Sequence, residues 1–228
     1  MYPISQSSEE LQIPSSGITL LEGPGFFGKD IRVVVQNWTA LFLSQGHVVH
    51  WIDGSHRFDP CGFFPAMRSL NCSIEESLRR LYIGRGFTLH QLHALIERVQ
   101  HEVALTKASI IVVDGMMAMF LDEQIKSFES RSIMRHCLAC LENVSQYCTV
   151  VVLDGRTTSP LHKQLKHTMR PYLKQKLEGR WVDRKQRRLH ISGNQEHYLL
   201  DVQPVDYQTT LHTLNRITTN DLSEEMID

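Results

Sequence analysis

The most constraining feature of this sequence is a glycine-rich loop at residues 23–30, between a short apolar run and a segment with helical periodicity. Its glycines let backbone amides turn inward around phosphate oxygens, and the N-terminus of the following helix adds positive potential. The loop has the pattern glycine, four residues, glycine, lysine, in which the lysine reaches the terminal phosphates of a nucleotide. The predicted nucleotide-binding residues are Gly23, Pro24, Gly25, Phe26, Phe27, Gly28, Lys29 and Asp30.

The last residue of this loop departs from the pattern. The eighth position is normally Ser or Thr, whose hydroxyl ligates the Mg²⁺ that bridges the phosphates. Asp30 stands there instead. A carboxylate can ligate Mg²⁺, but it also brings negative charge next to the phosphates, and an acidic residue equally suits the first turn of a helix. The sequence therefore leaves nucleotide binding open and predicts inefficient hydrolysis.

The rest of the chain alternates apolar runs with amphipathic segments, which predicts an α/β domain with a mainly parallel sheet flanked by helices. Short strands near the C-terminus predict an antiparallel extension on one edge of that sheet. The predicted buried strands are 18–21, 47–53, 109–114 and 149–154, with a further strand at 81–83. The predicted helices are 31–44, 73–80, 89–103 and 131–146, and 54–71 is predicted as a loop. The predicted edge strands are 180–183, 187–192 and 197–202.

The composition fits a single domain of 228 residues with 42% hydrophobic content. We predict a flexible leader at 1–16, the folded domain at 17–205 and a polar tail at 206–228. No run of 18 apolar residues is present, and the polar start resembles no secretory signal. These features predict an intracellular protein with no membrane association, cytoplasmic in a prokaryote or nuclear in a eukaryote.

Charge is distributed unevenly along the chain. Residues 162–190 hold ten Lys and Arg against two acids, a net charge of +8, whereas the whole chain has a net charge of -1. Such a segment, with Tyr172 and Trp181 among its cations, can neutralise phosphates and stack bases, although it can also be a solvated face. The predicted DNA-binding residues are Arg156, Lys163, Lys166, Arg170, Lys174, Arg180, Arg184, Lys185, Arg187 and Arg188.

Three segments follow the loop in an informative order. Residues 51–60 hold an Ile-Asp pair followed by a Phe and a Pro, residues 84–88 form Gly-Arg-Gly-Phe-Thr before a helix, and residues 109–120 form a strand that ends in Asp114 and leads into a turn. Together with the loop, which looks like a Walker A motif, they resemble elements of the RecA and RadA family of strand-exchange recombinases and their paralogues. The segment at 109–120 is similar to the Walker B strand.

The resemblance implies a RecA-like P-loop domain that binds ATP and Mg²⁺. Asp114 would be the Walker B acid, so Asp114 and Asp30 are the candidate Mg²⁺ ligands. Two further departures from the family matter: Ser55 stands where the recombinases carry a catalytic glutamate, and no long glycine-rich loop follows Asp154. Both departures, with Asp30, predict a weak or absent ATPase activity, which would be stimulated by DNA if it exists.

A paralogue of this kind is expected to be an accessory factor in DNA recombination or repair. Its expected partners are DNA, with single strands favoured, and a RecA-family recombinase or paralogue subunit. One alternative is a non-catalytic RecA-fold subunit of a hetero-oligomer, which predicts an exposed apolar edge. A further alternative is an active P-loop ATPase with a non-DNA partner. Where no nucleotide binds, Lys29 would pair with Asp114 or Asp30 in a structural ion cluster.

The histidines and cysteines give no metal-site pattern in the sequence. Cys137 and Cys140 form a lone Cys-x-x-Cys arrangement beside His136, on a predicted buried helix face, and they favour packing over metal ligation. Three more histidines lie along the helix predicted at 89–103 and its C-terminal end, without the spacing of a metalloprotease pair, and are predicted to be surface residues. These are His90, His93 and His101.

Overall fold

The computed structural model describes residues 16–25, 28–120, 125–156, 160–193 and 196–201, with the backbone alone for the first residue of the last range. Phe26 and Phe27 of the glycine loop lie outside the described residues. The predicted polar tail also lies outside them, as does the predicted leader except for its last residue.

The described residues form an α/β fold around one eight-stranded sheet, with strand order β3-β2-β4-β5-β1-β6-β7-β8. The first six strands in that order run parallel to one another, while at one edge β7 is antiparallel to β6 and β8 is antiparallel to β7. The strands are β1 (Gly17–Gly23), β2 (Val49–Asp53), β3 (Leu81–Arg85), β4 (Ile110–Asp114), β5 (Thr149–Gly155), β6 (Leu173–Asp183), β7 (Arg188–Gly193) and β8 (Glu196–Asp201).

Helices cover both faces of the sheet, and each face has its own apolar core. On one face, α1 packs with the short helices that follow β2; on the other, α4, α6 and α7 pack against the central strands. The helices are α1 (Arg32–Ser44), α2 (Phe64–Ser69), α3 (Ile74–Leu78), α4 (Leu89–Thr106), α5 (Met116–Met119), α6 (Ser127–Ser145) and α7 (Pro160–Met169), and 3₁₀ turns span Pro60–Phe63 and Arg170–Tyr172.

The central strands β4 and β5 are buried on both faces, as their β-branched runs require. Ile110 and Val112 point into the core under α1, whereas Ile111 and Val113 point into the opposite core under α4 and α6. Burial on both faces fixes the strand register, because a shift by one residue would bring the terminal carboxylate of the strand into one of the cores.

The connections place a ligand crevice at the carboxyl edge of the sheet. β1 leads into α1 on one face, while its neighbour β5 leads toward α7 on the other face. In open α/β sheets, ligands bind outside the carboxyl ends of the strands where neighbouring connections diverge in this way. The glycine loop follows β1 directly at this point.

The predicted α/β architecture with a mainly parallel sheet and an antiparallel C-terminal edge is confirmed. The segment at 54–71, predicted as a loop, contains a 3₁₀ turn and α2. Helix α7 was not predicted, and β6 is longer than predicted because its first half pairs in parallel with β1. Within the described residues, no helix is long and apolar enough to cross a membrane.

Candidate functional site

The glycine loop turns back on itself at the carboxyl end of β1. Gly25 and Gly28 adopt positive φ angles of 84° and 72°, and a side chain at Gly28 would lie 2.6 Å from the carbonyl oxygen of Asp154. The Gly28 amide donates to the Gly25 carbonyl at 3.2 Å, and the Asp30 amide donates to the Pro24 carbonyl at 3.1 Å. These two amides are therefore bonded within the loop and are not free to bind a phosphate.

The side chains that end the loop point in different directions. Lys29 is exposed, and in the part of the chain that the structure describes it forms no ion pair. The Trp181 indole on β6 donates to Asp30 Oδ2 at 3.0 Å, so Asp30 anchors the loop to the neighbouring strand. The carboxylate that replaces the usual hydroxyl thus has a structural partner.

A buried ion pair joins the first turn of α1 to the end of β4. Arg32 Nε lies 2.6 Å from Asp114 Oδ2, and its terminal nitrogen donates to Asp114 Oδ1 at 2.9 Å. The exposed fraction of the side chain is 7% for Arg32 and 0% for Asp114. The ion cluster predicted for a site without nucleotide therefore exists, but its cation is Arg32 and not Lys29.

Ser55 extends this pair toward Asp53. The Arg32 guanidinium donates to Ser55 Oγ at 3.1 Å, and Ser55 Oγ donates to Asp53 Oδ1 at 2.9 Å. Asp53 also accepts hydrogen bonds from backbone amides at 55, 57 and 58 and from Arg85. Ser55, which the resemblance aligns with a catalytic glutamate, is thus part of a network that links the ends of β2 and β4.

The two carboxyl groups differ in their protonation chemistry. Burial tends to raise the pKa of Asp53, but hydrogen bonds from the Phe58 amide and the Ser55 hydroxyl, with the nearby Arg85 charge, outweigh it and lower that pKa. Burial raises the pKa of Asp114, and the contacts with Arg32 oppose the rise. The charged form of Asp114 in this site therefore depends on Arg32.

The Arg32 guanidinium donates hydrogen bonds to both carboxylate oxygens of Asp114, the candidate Mg²⁺ ligand. A planar guanidinium binds a carboxylate through two parallel hydrogen bonds and stays charged at any physiological pH. Mg²⁺ requires oxygen ligands in octahedral geometry, usually through one or two carboxylates and several waters. In this arrangement the positive charge beside Asp114 is already supplied by the chain itself.

A second set of charges, around the buried Glu22 and Asp154, lies at the carboxyl edge on the opposite face of the sheet. Lys166 on α7 bonds to Glu22 on β1 and lies 2.9 Å from Asp154 Oδ2, which is also 2.7 Å from His162 Nε2. Lys176 on β6 lies 2.6 Å from Glu22 Oε2. These contacts attach α7 and β6 to the end of the central sheet.

An open cleft of about 550 Å³ lies between α7 and β6 above these charges. Lys163 and Arg170 line it as exposed cations and form no ion pair within the described ranges. Six basic side chains and two acidic ones line the cleft, so it is strongly positive. The basic residues are Arg156, Lys163, Lys166, Arg170, Lys176 and Arg180, and the acids are Glu22 and Glu178.

The structure thus brings together only part of the predicted DNA-binding set. Lys174 on β6 does not line the cleft, and its amine donates to Ser16 Oγ at 3.2 Å. The other four predicted residues lie in or next to the turn between β6 and β7, outside the lining of the cleft. One of them, Arg188, pairs with Asp201 on β8. These four are Arg184, Lys185, Arg187 and Arg188.

Two residues of this edge were missed in the sequence. Arg32 carried a signal, because a cation in the first turn of a helix opposes the helix dipole and needs a partner. Lys176 belongs to the basic segment, but only the parallel pairing of β6 with β1 shows that it faces the cleft.

Comparison with known protein families finds no matching family, and no curated protein matches the sequence.

We predict that Arg32→Met destabilises the fold by about 3–5 kcal/mol, because it leaves the Asp114 carboxyl buried without its cation. The double variant Arg32→Met with Asp114→Leu should recover most of that loss, since no unpaired charge remains. Urea unfolding followed by circular dichroism measures both.

Arg85→Met is the matched control. Its side chain is 40% exposed, and Asp53 keeps its other hydrogen bonds, so the loss should be much smaller than for Arg32→Met. Equal losses for Arg32→Met and Arg85→Met would contradict the central role of the buried pair.

Proposed function

We propose that this chain is a RecA/RadA-like recombinase paralogue that acts as an accessory factor in DNA recombination or repair. In this proposal it binds single-stranded DNA through the basic cleft between α7 and β6 and has weak or absent ATPase activity. The observation that carries the proposal is the convergence of six cations in one open cleft beside the carboxyl edge of the sheet.

The cleft has the features that a phosphate backbone requires. Several of its cations are fixed by ion pairs to Glu22 and Glu178, which order the cleft without cancelling its charge. Lys163 and Arg170 remain exposed for contact with phosphates. Phosphate neutralisation by such residues releases counterions and gives affinity without sequence preference.

The same edge argues against efficient ATP hydrolysis. Arg32 holds Asp114, Ser55 replaces the family's catalytic glutamate, and Asp30 is bonded to Trp181. None of these groups can activate water or complete a Mg²⁺ site in the present arrangement.

The direct test is fluorescence anisotropy with a labelled single-stranded oligonucleotide over a range of salt concentrations. Lys163→Glu combined with Arg170→Glu should weaken binding at low salt, because two phosphate contacts are replaced by repulsion. The slope of log affinity against log salt should fall in magnitude by about 1.4, at about 0.7 for each lost contact with a single strand.

Lys174→Glu is the control for one charge reversal, because it places a carboxylate on the same basic segment at a residue that does not line the cleft. It should leave affinity nearly unchanged. If the double variant bound as tightly as the wild type at low salt, or if Lys174→Glu caused the larger loss, the cleft would not be the DNA-binding surface.

A second candidate function is a subunit of a hetero-oligomer, and the edge strand β3 favours it. Tyr82 and Ile83 on this strand are 48% and 49% exposed, and Phe87 just beyond it is 63% exposed. β3 pairs only with β2 among the described strands, so its outer side offers unpaired backbone groups beside an apolar patch. Such an edge is suited to the addition of a strand from another chain.

We predict that Ile83→Lys weakens association with a RecA-family partner subunit by at least about tenfold, because a charged side chain protects a strand edge from pairing. Co-purification and analytical ultracentrifugation measure the change. Val182→Lys is the control, since Val182 is 64% exposed on β6, which four strands separate from β3 in the sheet. Association that is unaffected by Ile83→Lys would exclude β3 as the interface.

A further inference from the structure

Three side chains with metal-ligating atoms meet between α4 and α6, away from the carboxyl edge. His93 and Glu97 lie one turn apart on α4, and His136 faces them from α6. One ligand atom from each of the three lies within 4.8 Å of the others. The two imidazole rings meet edge to face, with centroids 4.8 Å apart and an interplanar angle of 82°.

The spacing of these atoms is close to that of ligands on one ion. Tetrahedral Zn²⁺ with bonds of about 2.0–2.1 Å places its ligand atoms about 3.3 Å from one another. Glu97 Oε1 lies 2.8 Å from His136 Nε2 and 3.7 Å from His93 Nε2, which brackets that value. The three atoms all lie within 4.8 Å of one another, so side-chain rotations that shorten the longest separation would bring them to a common distance from a central ion.

His93 contributes a ring nitrogen that no other described group uses. Its Nε2 is buried and has no hydrogen-bond partner among the described residues. A buried ring nitrogen without a partner is costly in a fold unless something binds it.

The other two ligands leave room for an ion to enter. The exposed fraction of the side chain is 48% for Glu97 and 53% for His136. Cys140 lies one turn after His136, and burial followed by the charge of Glu97 raises the pKa of its thiol. The thiol is not among the clustered ligand atoms, so a water would complete a tetrahedral site.

We propose that His93, Glu97 and His136 form a Zn²⁺ site that links α4 to α6. Two imidazoles and one carboxylate with an open fourth position are a ligand set that Zn²⁺ uses in proteins. The site joins the two longest described helices, which pack on the same face of the sheet. An ion bound by ligands from both helices would fix their spacing.

Competition with a chromophoric zinc chelator tests the site directly. The wild-type chain should bind a single Zn²⁺. Each of His93→Gln, Glu97→Gln and His136→Gln should weaken Zn²⁺ binding by at least about tenfold. Loss of a residue that only orients a metal ligand already weakens metal affinity by about this factor. His90→Gln is the matched control on the same helix, since His90 is 64% exposed and contacts Glu129 at 3.5 Å.

A second pair of neighbouring histidines serves as a control for the position of the Zn²⁺ site. His190 Nε2 and His197 Nδ1 lie 3.2 Å apart on β7 and β8, and among the described residues they belong to no cluster of three metal-ligating side chains. His197→Gln should leave Zn²⁺ affinity unchanged. Loss of binding in His197→Gln, retention of wild-type affinity in the three ligand variants, or no Zn²⁺ binding by the wild type would each overturn the proposal.

Thermal unfolding gives an independent readout that does not depend on chelator chemistry. Zn²⁺ should raise the Tm of the wild type and of His90→Gln relative to EDTA, because an ion that binds only the folded state stabilises it. The three ligand variants should unfold at the same Tm with Zn²⁺ and with EDTA. A Zn²⁺-induced rise in the Tm of the ligand variants equal to that of the wild type would contradict the site.

Discussion

The bidentate contact between Arg32 and Asp114 governs the chemistry of the carboxyl edge. It places a permanent cation against a fully buried carboxylate at the end of β4, where the resemblance to the recombinases predicts a magnesium ion. An ion pair without solvent around it is costly to break, because each partner alone would be a buried charge. The pair also orders Ser55, and through it Asp53, so the ends of two strands and the start of α1 form one rigid unit.

The two faces of the carboxyl edge then have different roles. The face under α1 carries the closed network around Asp114, where charges are satisfied internally. The opposite face carries the open cleft, where Glu22 fixes Lys166 and Lys176 while other cations stay exposed. In the proposed function, the open cleft holds the phosphate backbone of DNA, and the exposed β3 edge is the surface for a partner subunit. The proposed zinc site is independent of both, because it lies between α4 and α6.

Much of the fold could be predicted from sequence, because burial on both faces leaves a continuous β-branched run in β4 and β5, and amphipathic periodicity marks the long helices. The helix α7 was missed because its sequence is dominated by polar and basic residues, with only three buried positions. Sites formed across elements were the least predictable. Arg32 meets Asp114 over 82 positions of sequence, and His136 meets Glu97 over 39, so neither contact leaves a local spacing motif.

The account depends most on the claim that the Arg32 guanidinium takes the place of Mg²⁺. Titration of a fluorescent ATP analogue into the full chain, with and without Mg²⁺, and a parallel assay of ATP turnover with single-stranded DNA, test that claim most directly. We predict the same affinity under both conditions and no turnover above background. A large gain in affinity on adding Mg²⁺, with turnover that is abolished by Lys29→Ala, would contradict it.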